Sequence, residues 1–408
     1  MAGNRHKLAT TMASARTPLH VGLDLLFWHP RAGGMARYAR ELTIAMRALE
    51  PDLRVTTYVS SEMPEDGPQA LGDGVHVVRY PVTVTHGPPW SAVSHVWAHW
   101  GQLAWHAAHN GVDVVHGPAN FTPLWAGRVA RVVTLHDLIW LRDRGASMGM
   151  RSTIAMQLTA LPSAWRADRV LTGAQVAKDD ICATLRIDPA RVDVVPHGIA
   201  NRPPAEPEPE ALLRERFDLA DAPVVLCVAQ KRAHKNLDKL IRALALLGDR
   251  RTMLVLPGEP TDHERELLAL ADELGVADRV RIPGWLTDGE IEGLYALADV
   301  FALPSREEGF GLSILEAMRR GTPVACSDRS TLPEVAGDAA ELFDPDDTAA
   351  VTAALDFLLR SPQRREELRA RGLVRCEQFT WERSARLTLA SYRRAIAERV
   401  ANSARPAD

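Results

Sequence analysis

Glu308 and Glu316 are two carboxylates separated by seven residues, with a glycine-containing turn between them. The apolar run Asp299–Leu303 before the turn predicts a buried strand, and Leu312–Arg320 has the apolar spacing of a helix. A helix N-terminus offers backbone N–H groups to an anion, which the helix dipole also favours. Amides flanked by two carboxylates suit a ligand that carries both phosphate and hydroxyl groups, as a nucleotide sugar does.

The segment from Arg306 to Glu316 resembles the signature of the retaining glycosyltransferases of family four, the group 1 enzymes that include mannosyltransferase-like and glycogen-synthase-like members. The neighbouring segments match that family as well: Pro304-Ser305, Gly321–Val324 and Leu332–Asp338. The resemblance implies a GT-B fold, in which two Rossmann-like α/β domains bind their substrates in the cleft between them. An ordinary strand, turn and helix with surface glutamates is the alternative.

The resemblance also implies how the donor is held. Glu316 is expected to bind the ribose hydroxyls, and Glu308 to lie near the donor sugar. Backbone amides of the turn are expected to hold sugar hydroxyls and phosphate: Gly309, Phe310, Gly311 and Leu312. Neither glutamate is expected to act as the acid or nucleophile of a glycosidase, because both belong to the nucleotide half of the cleft.

Gly33 and Gly34 lie between a predicted strand, Leu19–Phe27, and a predicted helix, Met35–Leu49. Two glycines allow backbone to approach a ligand closely and place amides at a helix N-terminus, although a plain tight turn uses the same residues. They resemble the family's Gly-Gly loop, which closes over the donor diphosphate from the acceptor-binding domain.

His136 and Asp137 follow the predicted strand Ala130–Leu135, so they are expected at the carboxyl edge of the sheet, facing the cleft. By resemblance, His136 is the active-site histidine that contacts the donor sugar near the reacting carbon. Asp137 either orients His136 or caps the following segment. A histidine satisfied within a loop is the alternative.

The turn after the predicted strand Pro223–Val228 is basic. Lys235 matches the family's lysine and is expected to neutralise the departing diphosphate. Gln230 stands where many members have a phosphate-binding arginine, so Arg232 or Lys231 is expected to supply the missing charge. An ordinary basic surface loop is the alternative.

Trp285 and Leu286 end a segment that resembles the strand end whose backbone recognises the nucleotide base, although Trp285 could equally pack in a core. The residues assigned to the donor include no Asp-x-Asp triplet, so no metal is expected. The implied reaction has the acceptor hydroxyl attack the face from which the diphosphate departs, with retention of configuration. Positioning and stabilisation of the leaving group would then carry catalysis.

The elements that position these residues repeat one strand–helix pattern twice, which predicts two doubly wound α/β domains. We expect a disordered tail at 1–18, an acceptor-binding domain at 19–200, a Pro-rich linker at 201–210 and a nucleotide-sugar domain at 211–379. A last helix at 380–400 is expected to cross back onto the first domain. Neither first strand is followed by a G-x-G-x-x-G fingerprint, which argues against a nicotinamide or flavin enzyme.

The composition is that of an ordinary soluble globular protein, with 408 residues, 46% hydrophobic, 25% charged and a net charge of −4. This charge gives no reason to expect nucleic acid. Four dispersed cysteines indicate a reducing cytoplasm without disulfides, and no apolar run approaches the roughly 20 residues that cross a bilayer. The family resemblance implies no cofactor, and a GDP- or UDP-type nucleotide sugar as co-substrate.

The sequence indicates less about the acceptor than about the donor. Between Tyr80 and Trp125 only Asp113 is charged, and His95–His109 is predicted to be a packed aromatic helix beside the acceptor cleft. His95 and His99 have a spacing that zinc could use, but no third ligand is evident. The absence of basic residues argues against docking on anionic membranes and favours a soluble small-molecule or glycan acceptor. A GT-B nucleotide-sugar epimerase or a non-catalytic sugar-nucleotide-binding protein is the alternative function.

Overall fold

The fold is taken from a computed structural model, which describes residues 18–26, 28, 33–65, 67, 71–72, 74–82, 97–142, 150–199 and 205–403. The prediction of a tail at 1–18 therefore lies outside the described residues except at its last position. Within the described ranges, short runs of β-branched residues and leucine form strands that are mostly buried on both faces. Such strands need helices on both sides, and the chain builds two parallel sheets of this kind.

The first sheet has seven strands in the order β3-β2-β1-β4-β5-β6-β7, and every neighbouring pair is parallel. Its strands are β1 His20–Leu25, β2 Arg54–Ser60, β3 His76–Tyr80, β4 Val114–Gly117, β5 Ala130–Thr134, β6 Arg169–Thr172 and β7 Val192–Val194. The order reverses between β1 and β4, and this switch point places a crevice at the carboxyl ends of those two strands.

The second sheet has six parallel strands in the order β10-β9-β8-β11-β12-β13. Its strands are β8 Val224–Leu226, β9 Met253–Val255, β10 Val280–Arg281, β11 Val300–Leu303, β12 Val324–Ser327 and β13 Ala340–Phe343. Here the switch point lies between β8 and β11, the two strands that precede the Lys235 turn and the Glu308 loop.

Helices cover the faces of both sheets. They are α1 Gly33–Leu49, α2 Ala104–His109, α3 Ile139–Arg142, α4 Met150–Arg166, α5 Gln175–Leu185, α6 Glu210–Arg216, α7 Asp238–Leu246, α8 His263–Glu273, α9 Asp288–Leu297, α10 Leu312–Arg319, α11 Leu332–Ala336, α12 Thr348–Arg360, α13 Pro362–Cys376 and α14 Trp381–Ser403. In the part of the chain that is described, no helix is long and apolar enough to cross a membrane.

The predicted crossing of the last helix is confirmed, because α14 packs against α1 and against the strands of the first sheet. The chain passes between the two halves at two adjacent places, where Ile199 forms a β-bridge with Thr380. Gly198 permits this approach, since a Cβ there would lie 2.2 Å from the backbone nitrogen of Trp381. The GT-B architecture expected from the sequence is therefore present.

The segment His95–His109, predicted to be a packed aromatic helix, differs from expectation. A π-helical turn, Ala98–Leu103, leads into α2, and its buried side chains include Ala98 and Leu103. Trp97 and Trp105 are 64% and 58% exposed, so the prediction that they pack is wrong. Small alanines, His99 and Leu103 occupy the inner face of this segment, and the rings of Trp97 and Trp105 lie on its outer face.

The zinc interpretation of the same segment finds no support. His95 lies outside the described residues, whereas His99 is buried with its Nδ1 2.5 Å from Asp24 Oδ2. Among the described residues, no three His, Cys, Asp or Glu side chains are grouped so that they could hold a metal ion.

Candidate active site

The Glu308 loop is shaped by two glycines between β11 and α10. Gly311 has a φ of 95°, a left-handed conformation that favours glycine, and it forms the N-cap of α10. A Cβ at Gly309 would lie 3.0 Å from Asp137 Oδ2 and 3.0 Å from the His136 carbonyl oxygen. The loop therefore touches the first domain at the residues that the sequence assigned to its active site.

Glu308 is paired with Lys235 across the switch point of the second sheet. Lys235 Nζ lies 2.7 Å and 2.8 Å from the two carboxylate oxygens, and Ser305 Oγ donates to one of them at 2.7 Å. Both side chains are mostly buried. The expected sugar-binding carboxylate and diphosphate-binding ammonium are thus neighbours, oriented by one another.

Glu316 lies one helical turn into α10 and is held from both domains. Arg37 of α1 forms an ion pair with one carboxylate oxygen, and Tyr295 Oη donates to the other at 3.4 Å. Arg37 is the third residue after Gly34, so the Gly-Gly loop and Glu316 face each other. Among the described residues, no heavy atom lies within 4 Å of the Cβ position of Gly34, so this part of the structure leaves space for a ligand there.

The basic side chains of the turn after β8 are less accessible to a bound diphosphate than the sequence predicted. The Lys231 side chain is fully buried, its Nζ donates to the Gly258 carbonyl at 2.8 Å, and burial lowers its pKa. The suggestion that Lys231 supplies charge to a diphosphate is therefore wrong. Arg232 Nε donates to Gln230 Oε1 at 3.1 Å, and Gln230 Nε2 donates to Glu259 at 3.2 Å.

His136 hydrogen bonds through both ring nitrogens. Its Nε2 lies 2.9 Å from the Pro118 carbonyl, and its Nδ1 lies 3.2 Å from His197 Nε2. The carbonyl only accepts, so Nε2 of a neutral His136 carries the proton, and His197 Nε2 must then donate to Nδ1. Burial lowers the pKa of both imidazoles, which keeps this chain of neutral rings intact.

His197 is a site residue that sequence reasoning missed. It is 4% exposed and packs between the rings of Tyr38, Phe310 and Trp381. Its Nδ1 is buried and finds no hydrogen-bond partner among the described residues. The only signal in the sequence was its position two residues after the valine-rich run Arg191–Val195, which has the composition of a strand.

Asp137 faces the cleft beside His136, as predicted. Its Oδ1 accepts from the Ile139 amide at 3.0 Å, so it caps the short helix α3 and does not orient His136. Burial raises its pKa to about 6, and the nearby Glu308 carboxylate acts in the same direction. A cavity of about 360 Å³ opens here between the two domains, lined among others by His136, Asp137, Arg142, Ala177, Glu308 and Ser330.

The remaining predicted donor residues lie in the second domain. Trp285 is 59% exposed, so it is not a core residue, whereas Leu286 packs partly against the core of that domain. Phe310 is 4% exposed and contacts His197, while Leu312 begins α10. The site thus joins Glu308, Lys235, Glu316, Gly34 and His136 in one cleft, and Trp285 lies at the surface.

Two family models together match most of the chain. The model of glycosyltransferase family 4 matches residues 32–201, and that of the group 1 glycosyl transferases matches residues 211–374. The solved structure of a sucrose-phosphate synthase from Thermosynechococcus elongatus is similar with a TM-score of 0.73 and 22% identity, covering 93% of this chain and all of that one. That identity supports the fold alone.

Three curated relatives are similar in sequence. The O-antigen chain mannosyltransferase B of Escherichia coli is 36% identical over 47% of this chain and 50% of its own length. The MMP alpha-(1->4)-mannosyltransferase of Mycolicibacterium hassiacum is 35% identical over 56% and 54%. The chain thus matches about half the length of these two. A D-inositol 3-phosphate glycosyltransferase of Actinosynnema mirum is 30% identical over 88% of this chain and 92% of its own length. The chain belongs to the group 1 glycosyltransferases of family four.

Proposed function

We propose that this chain is a retaining hexosyltransferase that uses a nucleoside-diphosphate sugar, needs no metal ion and acts on a hydroxyl group of a soluble acceptor. The observation that carries the proposal is the Lys235–Glu308 pair, placed opposite His136 where Gly309 brings the two domains into contact. The names of two relatives support a mannosyl donor such as GDP-mannose, with a UDP-sugar as the other candidate.

The reaction we propose is a front-face displacement. The bond between the sugar C1 and the diphosphate oxygen breaks while the acceptor oxygen bonds to C1 from the same face. The hydroxyl proton passes to the departing diphosphate, so the atoms and charges balance without a protein base. The protein supplies positioning and charge stabilisation, which can account for most of such a rate enhancement.

Each site residue has a part in this scheme. Lys235 neutralises the diphosphate as it leaves, and Glu308 fixes the Lys235 ammonium while it accepts from a sugar hydroxyl. Glu316 accepts from the ribose hydroxyls. His136 is held by Pro118 and His197 beside the reacting carbon, where its neutral ring bounds the sugar pocket.

A panel of GDP-, UDP- and dTDP-sugars would test the donor class. We expect one nucleotide family to raise the melting temperature, because a ligand that binds only the folded state stabilises it. With that donor and a set of hydroxyl acceptors, NMR of the product should show the anomeric configuration of the donor. Inverted product would contradict retention, and conversion of the donor sugar to its epimer without an acceptor would favour the epimerase instead.

Lys235→Ala would test the leaving-group role. We expect kcat to fall by about 10²- to 10³-fold, the usual cost of removing one charge-stabilising group from a transition state. Lys239→Ala is the matched control, because Lys239 bonds the Asp346 carbonyl and lies outside the assembled site. Wild-type turnover in Lys235→Ala would refute its assigned role.

The soluble acceptor is tested separately. The enzyme is mixed with vesicles of anionic and of zwitterionic lipid at pH 7 and sedimented. We expect it to stay in the supernatant with anionic vesicles, since the segment around Trp97 carries no basic residues. Sedimentation with either lipid would contradict the proposal and would point to the exposed Trp97 and Trp105.

A further inference from the structure

The turn after β8 leaves the proposed diphosphate short of positive charge. Gln230 is neutral and bonds Glu259, Lys231 is buried against the Gly258 carbonyl, and the Arg232 guanidinium donates to Gln230 Oε1. Lys235 pairs with Glu308 in the neighbouring loop. A nucleoside diphosphate carries two or more negative charges at the moment of departure, so one ammonium already paired with a carboxylate neutralises it incompletely.

A second cation reaches the same place from the opposite domain. Arg37 lies in the first turns of α1, and its guanidinium is paired with Glu316, the carboxylate assigned to the ribose. The Arg37 side chain is 38% exposed, whereas that of Glu316 is 15% exposed. Arg37 is therefore at the open side of this pair, where a ligand that binds Glu316 would meet it.

The covalent structure of the donor connects the two positions. The diphosphate is attached to the ribose. A group that contacts Glu316, the carboxylate assigned to the ribose hydroxyls, therefore lies beside the phosphates. Guanidinium has a planar fork of donors that matches phosphate oxygens in two parallel hydrogen bonds. Gly33 and Gly34 precede Arg37 at the N-terminus of α1, where the dipole also favours negative charge.

We propose that Arg37 is a catalytic residue that exchanges Glu316 for the donor diphosphate, and so supplies from the first domain the charge that Gln230 does not. Before binding, Glu316 neutralises Arg37. After binding, the ribose hydroxyls donate to Glu316 and Arg37 bonds the phosphates. The leaving group is then held between Lys235 of one domain and Arg37 of the other, so it is fully stabilised only when both domains close on it.

This inference depends on the proposed use of a nucleoside-diphosphate donor, and Arg37→Gln tests it. We expect kcat to fall by about 10²-fold, with part of the activity retained in Arg37→Lys. Arg40→Gln is the matched control, because Arg40 is on the same helix and pairs with its neighbour Glu41. Wild-type kcat in Arg37→Gln would overturn the inference while leaving the proposed function intact.

Rescue distinguishes a charge role from a structural one. In the double variant Arg37→Gln/Gln230→Arg, a guanidinium is placed on the opposite wall, and we expect at least 10-fold recovery of kcat over Arg37→Gln alone. The same change should not rescue Lys235→Ala to a comparable degree. Absence of recovery in the Arg37 background would overturn the inference.

Binding without turnover gives a third readout. For the base that the wild type prefers, Arg37→Gln should weaken the nucleoside diphosphate at least 10-fold and leave the nucleoside unchanged. If Arg37 only orients Glu316, both ligands should weaken equally, which would overturn the inference. If the wild type binds neither GDP nor UDP and consumes no nucleotide sugar, the proposed function itself fails, and the two failures are thereby distinguished.

Discussion

At the scale of single residues, buried neutral histidines link the site to the stability of the first domain. His116 is fully buried between Thr134 and Tyr392, and burial lowers its pKa to about 3. The pKa values of His136 and His197 are lowered by the same cause. Each ring is therefore neutral in the folded protein at pH values where it is protonated in the unfolded chain.

The sign of the resulting pH dependence follows directly. Below the unfolded pKa of about 6.5, the unfolded chain binds a proton at His116 that the folded protein does not bind, so stability falls as pH falls. The slope is about 1.4 kcal/mol per pH unit for each such histidine, between about pH 6.5 and the lowered folded value. At pH 7 and above, His116 makes no pH-dependent contribution.

Urea denaturation of the wild type and of His116→Gln at pH 7, 6 and 5 measures this slope. We expect the free energy of unfolding of the wild type to fall as the pH is lowered over this range. Below about pH 6.5 the variant's free energy of unfolding should fall less steeply, by about 1.4 kcal/mol per pH unit. The variant's lower absolute stability is not the test, because any change at a fully buried site destabilises. If the free energy of unfolding changes with pH by the same amount in both proteins, the assignment of His116 as a neutral buried base is contradicted.

At the scale of elements, the loop between β11 and α10 contains two glycines whose substitution should have different effects, one on activity and one on stability. Gly309 approaches His136 and Asp137 of the other domain, whereas at Gly311 an added Cβ would lie 2.6 Å from Leu332 Cδ2 of the same domain. An added methyl group at Gly309 can be relieved by a small opening of the cleft. An added methyl group at Gly311 cannot be relieved in this way, because the left-handed backbone disfavours any side chain and Leu332 of the same domain occupies the space.

Gly309→Ala should therefore lower kcat by about 10-fold or more, since small misplacements of the reacting groups are costly, while the free energy of unfolding changes by less than about 1 kcal/mol. Gly311→Ala is the matched control and should lose about 1–3 kcal/mol of stability. Activity assays and urea denaturation of both variants check this. A wild-type rate in Gly309→Ala would show that the contact with His136 does not position the domains.

The sequence predicted most elements of the catalytic cleft, because buried parallel strands and glycine turns have strong local signals. Four strands were not recognised: β2, β3, β12 and β13. β2 carries Thr and Ser on buried positions, and β13 is interrupted by the charged Glu341, so neither shows a continuous apolar run. Both are held by pairing with neighbours that are distant in sequence, which no local pattern contains.

The same reasoning explains the site residues. Glu308, Lys235 and His136 each stand at a strand end, and the resemblance to a family singled them out. His197 and Arg37 act through contacts across 61 and 279 positions, with His136 and Glu316. Lys231 was one of two candidates for the missing charge because a lysine in a polar turn normally faces solvent, whereas here its ammonium bonds the Gly258 carbonyl and pairs with Glu264.

At the scale of the whole molecule, a side chain of the second domain caps the N-terminus of a helix in the first domain. Helix α5 of the first domain begins after Ala174, whose side chain cannot cap it. Glu334 of the second domain accepts instead from the amides of Gln175 and Val176, at 2.7 Å and 2.9 Å. The unpaired N–H groups of a helix start and a carboxylate attract each other strongly, so this contact favours the closed cleft.

Two variants should open the cleft by different routes. Glu334→Ala removes the cap, and Ala174→Ser gives α5 a cap of its own that competes with Glu334. Each should shift the equilibrium toward open forms by about 1 kcal/mol, because that is the usual value of an N-cap. We expect a larger radius of gyration in X-ray scattering and a higher KM for the donor in both. Glu341→Ala, which removes a carboxylate paired within the second domain, is the control. If Ala174→Ser scatters like the wild type while Glu334→Ala does not, competition for the helix start is not what holds the domains together.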